Sequence, residues 1–222
     1  MTRKPVHQAA ESHSDDTALE RIVFFSDAVF AIAITLLALD IRIPELSGDL
    51  AVELPKALID AFPQFISFII GFLVIALYWT AHHRVFRLVR RYDGGLIWLN
   101  LILLMTIAFM PIPTSLIGRY GDQPIAAIIY ALVVMAASLA QLSLWWHISR
   151  HHRLIDPEVS PRLIRYYFLR SLVLLFVFAL SIPIALIFGS YVAELSWILL
   201  WVLSLLLRRR FDDVQPQVYG TA

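Results

Sequence analysis

Over 222 residues the chain is 59% hydrophobic and 16% charged, where a water-soluble domain is about half apolar and about a quarter charged. Eighteen Lys and Arg against 17 Asp and Glu leave a formal charge of +1, and the absence of cysteine excludes disulfide scaffolds, thiolate metal sites and cysteine nucleophiles. Apolar runs near membrane-spanning length recur along the sequence, so the composition points to a polytopic all-α membrane protein.

Residues 1–20 are polar, carry Arg3 and Lys4, and read as a tail, not as a secretory leader. Apolar spans are expected at 21–43, 57–81, 96–117, 125–147, 163–188 and 192–207, each about 30 Å long as a helix. They form one six-helix domain over residues 21–208, followed by a second tail at 209–222. The sixth span is the shortest and follows a tight Gly189-Ser190-Tyr191 turn. Pro63, Pro111, Pro113 and Pro183 fall inside expected spans, where each removes a backbone donor and favours a kink.

Charge fixes the expected orientation. Of the Lys and Arg, only Arg42, Lys56 and Arg119 fall in the loops after the first and third spans, whereas Arg84 to Arg91, Arg150 to Arg165 and Arg208 to Arg210 mark the opposite side. The positive-inside rule then places both termini in the cytoplasm. The remaining loops are acidic, with Asp40, Glu45, Asp49, Glu53, Asp60, Asp122 and Glu194, and an acidic outer face concentrates cations. Because the basic runs sit beside helix ends and lack an interleaved aromatic platform, they read as topology signals and not as a nucleic-acid surface.

The first span carries the unusual chemistry, since Arg21 and Asp27 are ionisable groups in the cytoplasmic third of a membrane helix. On a helical wheel Leu36 and Leu39 lie within about 40° of Ile32, Thr35 about 60° from it, and Asp27 about 140° away. Val29, Ala28 and Phe25 extend the Ile32 stripe inward. Two readings stay open at this point. Either the Ile32 face lines a conduit and Asp27 is a buried anchor, paired across the helix turns with Arg21, or Asp27 is itself a cation or proton site and the stripe is packing.

Other polar residues have plainer explanations. His82, His83, His147, His151 and His152 suit interfacial helix ends better than a metal site, and no metal or other cofactor is expected. Trp98, Trp145, Trp146, Trp197 and Trp201 read as interfacial anchors, while Ser138, Ser143, Ser171, Ser181 and Asn100 read as bonds across helices. Neither a serine-histidine-acid ordering nor a phosphate-cradling glycine loop is visible, so no enzyme activity is expected.

The string Arg21-x-x-x-Phe25-Ser26-Asp27, continued by Ala-Ile-x-x-Thr-Leu-x-x-Leu-Asp, resembles the signature helix of the transmembrane protein 175 family of potassium channels. Trp79-x-x-His82-His83-x-x-Phe86, Asp93, Leu99-Asn100 and Pro111-x-Pro113-Thr114 are similar to later family motifs, and the likeness is strongest over residues 20–117. This resemblance implies that the first helix lines a central pore, with an apolar constriction at Ile32, Leu36 and Leu39 and a hydroxyl beside it at Thr35. It also implies a structural network behind that helix of Arg21, Phe25, Ser26, Asp27, Trp79, His82, His83 and Asn100.

A single motif copy supplies one pore helix, so several subunits must close the pore. Since family members with two copies are dimers, the resemblance implies a homotetramer that passes potassium ions across the lipid bilayer of the plasma membrane. No Thr-Val-Gly-Tyr-Gly carbonyl filter is present, so selectivity is expected from partial dehydration at the apolar stripe. Asp40 is expected to add charge at the outer mouth. The competing expectations are a proton-coupled or facilitative transporter using Asp27, and a membrane scaffold without transport.

Overall fold

Prolines and capping side chains decide where the helices break. The computed structural model describes residues 5–150 and 154–211, and among the described residues the chain is helical apart from loops and one isolated β-bridge. The first helix, α1 (Pro5–Leu39), begins well before Arg21 and contains an apolar span at Thr17–Leu39. It stops short of Ile43 because Pro44 steers the residue before it out of the helical region. Its last turn is already loose, with Asp40 and Ile41 amides donating to Leu37 and Ala38 carbonyls at 3.4 Å.

Residues 57–60, expected at the head of the second span, belong to a separate helix, α2 (Leu50–Asp60). The Asp49 carboxylate caps it by accepting the Ala51 N–H at 3.0 Å. The chain restarts as α3 (Phe62–Phe86), with Pro63 in its first turn, where a missing donor costs nothing. The third crossing is split into α4 (Gly94–Phe109) and α5 (Pro111–Tyr120), because Pro111 and Pro113 withhold the amides that would carry α4 onward. α6 (Pro124–Ser149) and α7 (Pro161–Phe188) follow, and α8 (Ser190–Ser196) with α9 (Leu199–Arg210) completes the last crossing. The tight turn between α7 and α8 rests on Gly189, whose φ of 87° lies in the left-handed region. Among the described residues, six segments are thus long and apolar enough to cross a bilayer.

α6 is the central post. Half of its most apolar window is buried, more than in any other span, and Tyr130, Val134, Ala137, Leu144 and Ile148 form its packed face. Trp145 and Trp197, expected at the interface, lie in this core instead. The Trp145 indole donates to the Ile164 carbonyl at 3.1 Å, and Trp197 stacks on Tyr130 at 5.0 Å. Ser171 and Ser181 also depart from expectation, since each hydroxyl donates to a carbonyl of its own helix, whereas Ser138 bonds across to Tyr78 at 2.6 Å.

α3 and α5 approach closely at Gly71. A Cβ there would lie 2.6 Å from Thr114 Cγ2 and 3.3 Å from Leu37 Cδ1, inside van der Waals contact. Gly71→Ala is therefore expected to destabilise the bundle by about 1–3 kcal/mol through overpacking. Thermal unfolding in detergent measures this, and an unchanged midpoint would show that the helices have room to separate.

At the basic end the loop after α3 is zipped to the loop between α6 and α7. The Val89–Ile155 bridge is flanked by Arg90 N–H to Leu154 carbonyl at 2.7 Å and Asp156 N–H to Leu88 carbonyl at 3.0 Å. The Arg90 guanidinium adds bonds of 3.0 and 2.8 Å to Asp156. The Glu158 amide, and then Arg90, hold the Asp156 carboxyl below the usual carboxylate range. This clasp fixes how α3, α4, α6 and α7 emerge at that end. His151, His152, Arg153, Arg3, Lys4 and residues 212–222 of the second tail lie outside the described residues.

Candidate functional site

The helical repeat of α1 splits it into two faces of different fate. Ser26, Phe30, Ala33 and Leu37 are buried against α3, α4 and α5. On the opposite side Ile32 is 57% exposed and Leu39 74% exposed, with Leu36 and Thr35 also exposed, whereas Ala33 is 1% exposed. An apolar stripe that makes no core of its own thus runs along a helix whose other side is locked in place. The Thr35 hydroxyl lies on the exposed side and donates to the Ile32 carbonyl at 2.9 Å. Its oxygen lone pairs stay free to face outward.

The lock is a chain of directed hydrogen bonds. The Ser26 hydroxyl donates to the Ile22 carbonyl at 2.8 Å and accepts from Asn100 Nδ2 at 2.9 Å. Because that amide nitrogen is the donor, Asn100 Oδ1 is the acceptor, and it receives His82 Nε2–H at 2.8 Å. On the other side of the ring, Nδ1 of His82 is buried and has no hydrogen-bond partner. The ring is clamped between Phe86, stacked at 4.3 Å, and Phe30, tilted at 5.5 Å. Ser26, His82 and Asn100 are all buried, so three helices are tied by one polar chain in an apolar interior.

Asp27 faces α3 and not the stripe. Its Oδ1 accepts the Trp79 indole N–H at 2.7 Å, and His83 stacks on Trp79 at 5.5 Å. The structure thus brings Ser26, Asp27, Trp79, His82, His83 and Asn100 together. It does not bring Arg21 or Phe25 to them: both are exposed, and among the described residues no ion pair joins Arg21 to Asp27. Periodicity explains this, because Arg21 and Phe25 lie only about 20° from Ile32 on the wheel, on the exposed face.

Two further pairs were not visible as pairs in the sequence. Asp40 lies 3.6 Å from the Arg119 guanidinium, which also donates to the Asp40 carbonyl at 3.3 Å, so the charge beyond the stripe is partly offset. Asp93 caps α4 by accepting the Leu96 N–H at 2.8 Å and also bonds His147 Nε2 at 2.9 Å. Among the described residues no group of three His, Asp or Glu converges as a metal site.

Residues 21–111, which contain the first-span motif and most of this network, match the family described as "Endosomal/lysosomal potassium channel TMEM175". A potassium channel of Streptomyces collinus is 43% identical over 144 residues, which cover 63% of this chain and 69% of that one. The endosomal/lysosomal proton channel TMEM175 of Mus musculus is 28% identical over 220 residues, 90% of this chain but only 42% of that longer protein. Among solved structures, a lysosomal potassium-selective channel TMEM175 homolog from Chamaesiphon minutus superposes with a TM-score of 0.69 at 29% identity, covering 88% of this chain and 99% of that one. By these matches the chain, a multi-pass membrane protein, belongs to the TMEM175 family of ion channels.

Proposed function

We propose that this chain is a potassium-selective channel that conducts passively through a constriction made by Ile32, Leu36 and Leu39 from each of four identical subunits. The observation that carries the reading is the division of α1: one face is tied to α3 and α4 through Ser26, Asn100 and His82, while the apolar stripe opposite is left without partners in its own subunit. The name of the Streptomyces relative supports potassium as the permeant ion.

Rings of such side chains expel water when narrow and, when wider, pass the cation that sheds its hydration shell most readily. Potassium is larger and more weakly hydrated than sodium, so it crosses at lower cost. The free lone pairs of Thr35 supply oxygen beside the bottleneck, and Asp40 acts at the outer mouth as one half of a pair with Arg119. Arg21 and Phe25, on the stripe's own face, take part at its inner end, where neighbouring subunits converge. Asp27, held by Trp79, anchors the helix. The basic loops put both termini in the cytoplasm, and the plasma membrane is the site of action.

Purified protein reconstituted into potassium-loaded liposomes tests this. Fast passive efflux that favours potassium over sodium, from an assembly of four subunits in mild detergent, is the expected result. Flux that needs a proton gradient would favour the transporter reading through Asp27, and no flux would favour a scaffold. Either outcome, or any subunit number other than four, would overturn the proposal.

A further inference from the structure

A cavity of about 380 Å³ lies away from the α1 stripe, between α3, α6, α7 and the last crossing. Its walls are largely apolar, with Leu77 on α3, Leu174 on α7 and Trp201 on α9 among them. Several of the polar groups that line it lack partners. Gln141 is buried, and its Oε1 has no hydrogen-bond partner. Arg170 Nη1 is also buried without a partner, and Arg208 lines the same space. Neither arginine forms an ion pair among the described residues. A guanidinium donor and an amide acceptor held in an apolar cavity with unmet bonding capacity call for a ligand that carries negative charge and an O–H donor of its own.

Depth identifies the ligand class. At 1.5 Å per residue Arg170 lies about 13 Å along α7 from Pro161, and Gln141 about 12 Å along α6 from Ser149, so the two stand at the same level. Both are on the side where Arg208, Arg209 and Arg210 form the last turn of α9, at the basic end of the bundle. At the opposite end the cavity is bounded by Glu194, whose charge repels an anion. From Glu194 to Arg208 the chain rises about 20 Å, most of the last crossing, Ser190–Arg210. The groove thus has a cationic head end on the basic side and an apolar body that runs from there toward the acidic side. In the single chain its lips are exposed, Leu77 at 42% and Trp201 at 64%, which leaves it open sideways to the bilayer.

We propose that this groove is a binding site for an anionic phospholipid of the leaflet at the basic end, with the phosphate on Arg170 and Arg208, a headgroup hydroxyl donating to Gln141 Oε1, and an acyl chain along Leu77, Leu174 and Trp201. The site is independent of the conduction path. It couples the lipid to α3, whose far edge carries Trp79 and His82 of the network that holds α1.

Native mass spectrometry of the full channel from detergent micelles holding equal phosphatidylglycerol and phosphatidylcholine provides the test. Phosphatidylglycerol adducts should outnumber phosphatidylcholine adducts by about tenfold, from the attraction of two arginines. Arg170→Gln combined with Arg208→Gln should bring the ratio to parity. Arg170→Lys should retain most of the preference, which guards against misfolding of the glutamine variant, and Arg209→Gln, on the same end of α9 but outside the cavity, should leave it intact. Equal adducts of both lipids on the unaltered channel would overturn the proposal. So would a preference that survives loss of both arginines, or one lost equally in Arg209→Gln. Displacement of the lipid by millimolar inorganic phosphate would also overturn it and assign the arginines to a free anion, and an absence of adducts would overturn it in favour of a groove covered by a neighbouring subunit.

Discussion

Ile32→Asn is expected to raise single-channel conductance or resting leak by about tenfold, the effect of lowering the permeation barrier by about 1.4 kcal/mol. An amide in each subunit's ring gives water and ions hydrogen-bonding partners where the native ring offers only methyl groups, so the constriction stays wet. Leu39→Ala acts differently, by widening the path, and should change conductance in the same direction. Neither change should disturb the subunit's own fold, because both side chains lie outside its core. Leu37→Ala is the contrasting case. That residue is 3% exposed on the opposite face, so its truncation should cost about 2–5 kcal/mol of stability and leave unitary conductance alone. Planar-bilayer recording beside thermal unfolding separates the two faces. If both Ile32→Asn and Leu39→Ala leave single-channel properties unchanged, α1 does not set the bottleneck.

The sequence made the fold class plain because long apolar runs have few other uses, and six such segments are present among the described residues. Helix ends were less legible. Hydropathy does not register that Asp49 caps a separate α2, whereas the break in the third crossing falls at Pro111 and Pro113, where the missing backbone donors had pointed to a kink. Tryptophan misled at Trp145 and Trp197, where burial against Tyr167, Tyr130 and Phe178 outweighs the indole's preference for the interface. Around α1 the contiguous motif hides a geometric division. Consecutive residues turn by about 100°, so Ser26 and Asp27 reach α4 and α3 while Arg21 and Phe25 stay on the stripe side. A pair such as Asp93 and His147, 54 residues apart, had no local signature. The cavity at Gln141 and Arg170 was silent too, because it arises only where four helices diverge.

Asn100→Leu is expected to weaken the attachment of α1 more than any conservative change on the stripe. Leucine matches the amide's bulk, so packing changes little, but the His82 Nε2–H loses its acceptor and Ser26 its donor. With Nδ1 of His82 already unpartnered, the buried ring would make no hydrogen bond at all. One orphaned buried donor costs about 1–3 kcal/mol, and the loss falls on the contact between α1, α3 and α4. The expected readouts are a lower unfolding midpoint and a larger fraction of dissociated subunits in detergent, with unitary conductance preserved in channels that do assemble. Asp27→Asn should be milder, because an asparagine oxygen can still accept the Trp79 N–H and only the charge assistance to that bond is lost. A double-mutant cycle of Ser26→Ala with Asn100→Leu should be clearly non-additive, since both changes break the same bond. Additive losses would mean that the two residues act separately and that the buried chain is not one unit. An Asn100→Leu channel that assembles fully but conducts differently would move the network from anchoring into the conduction path.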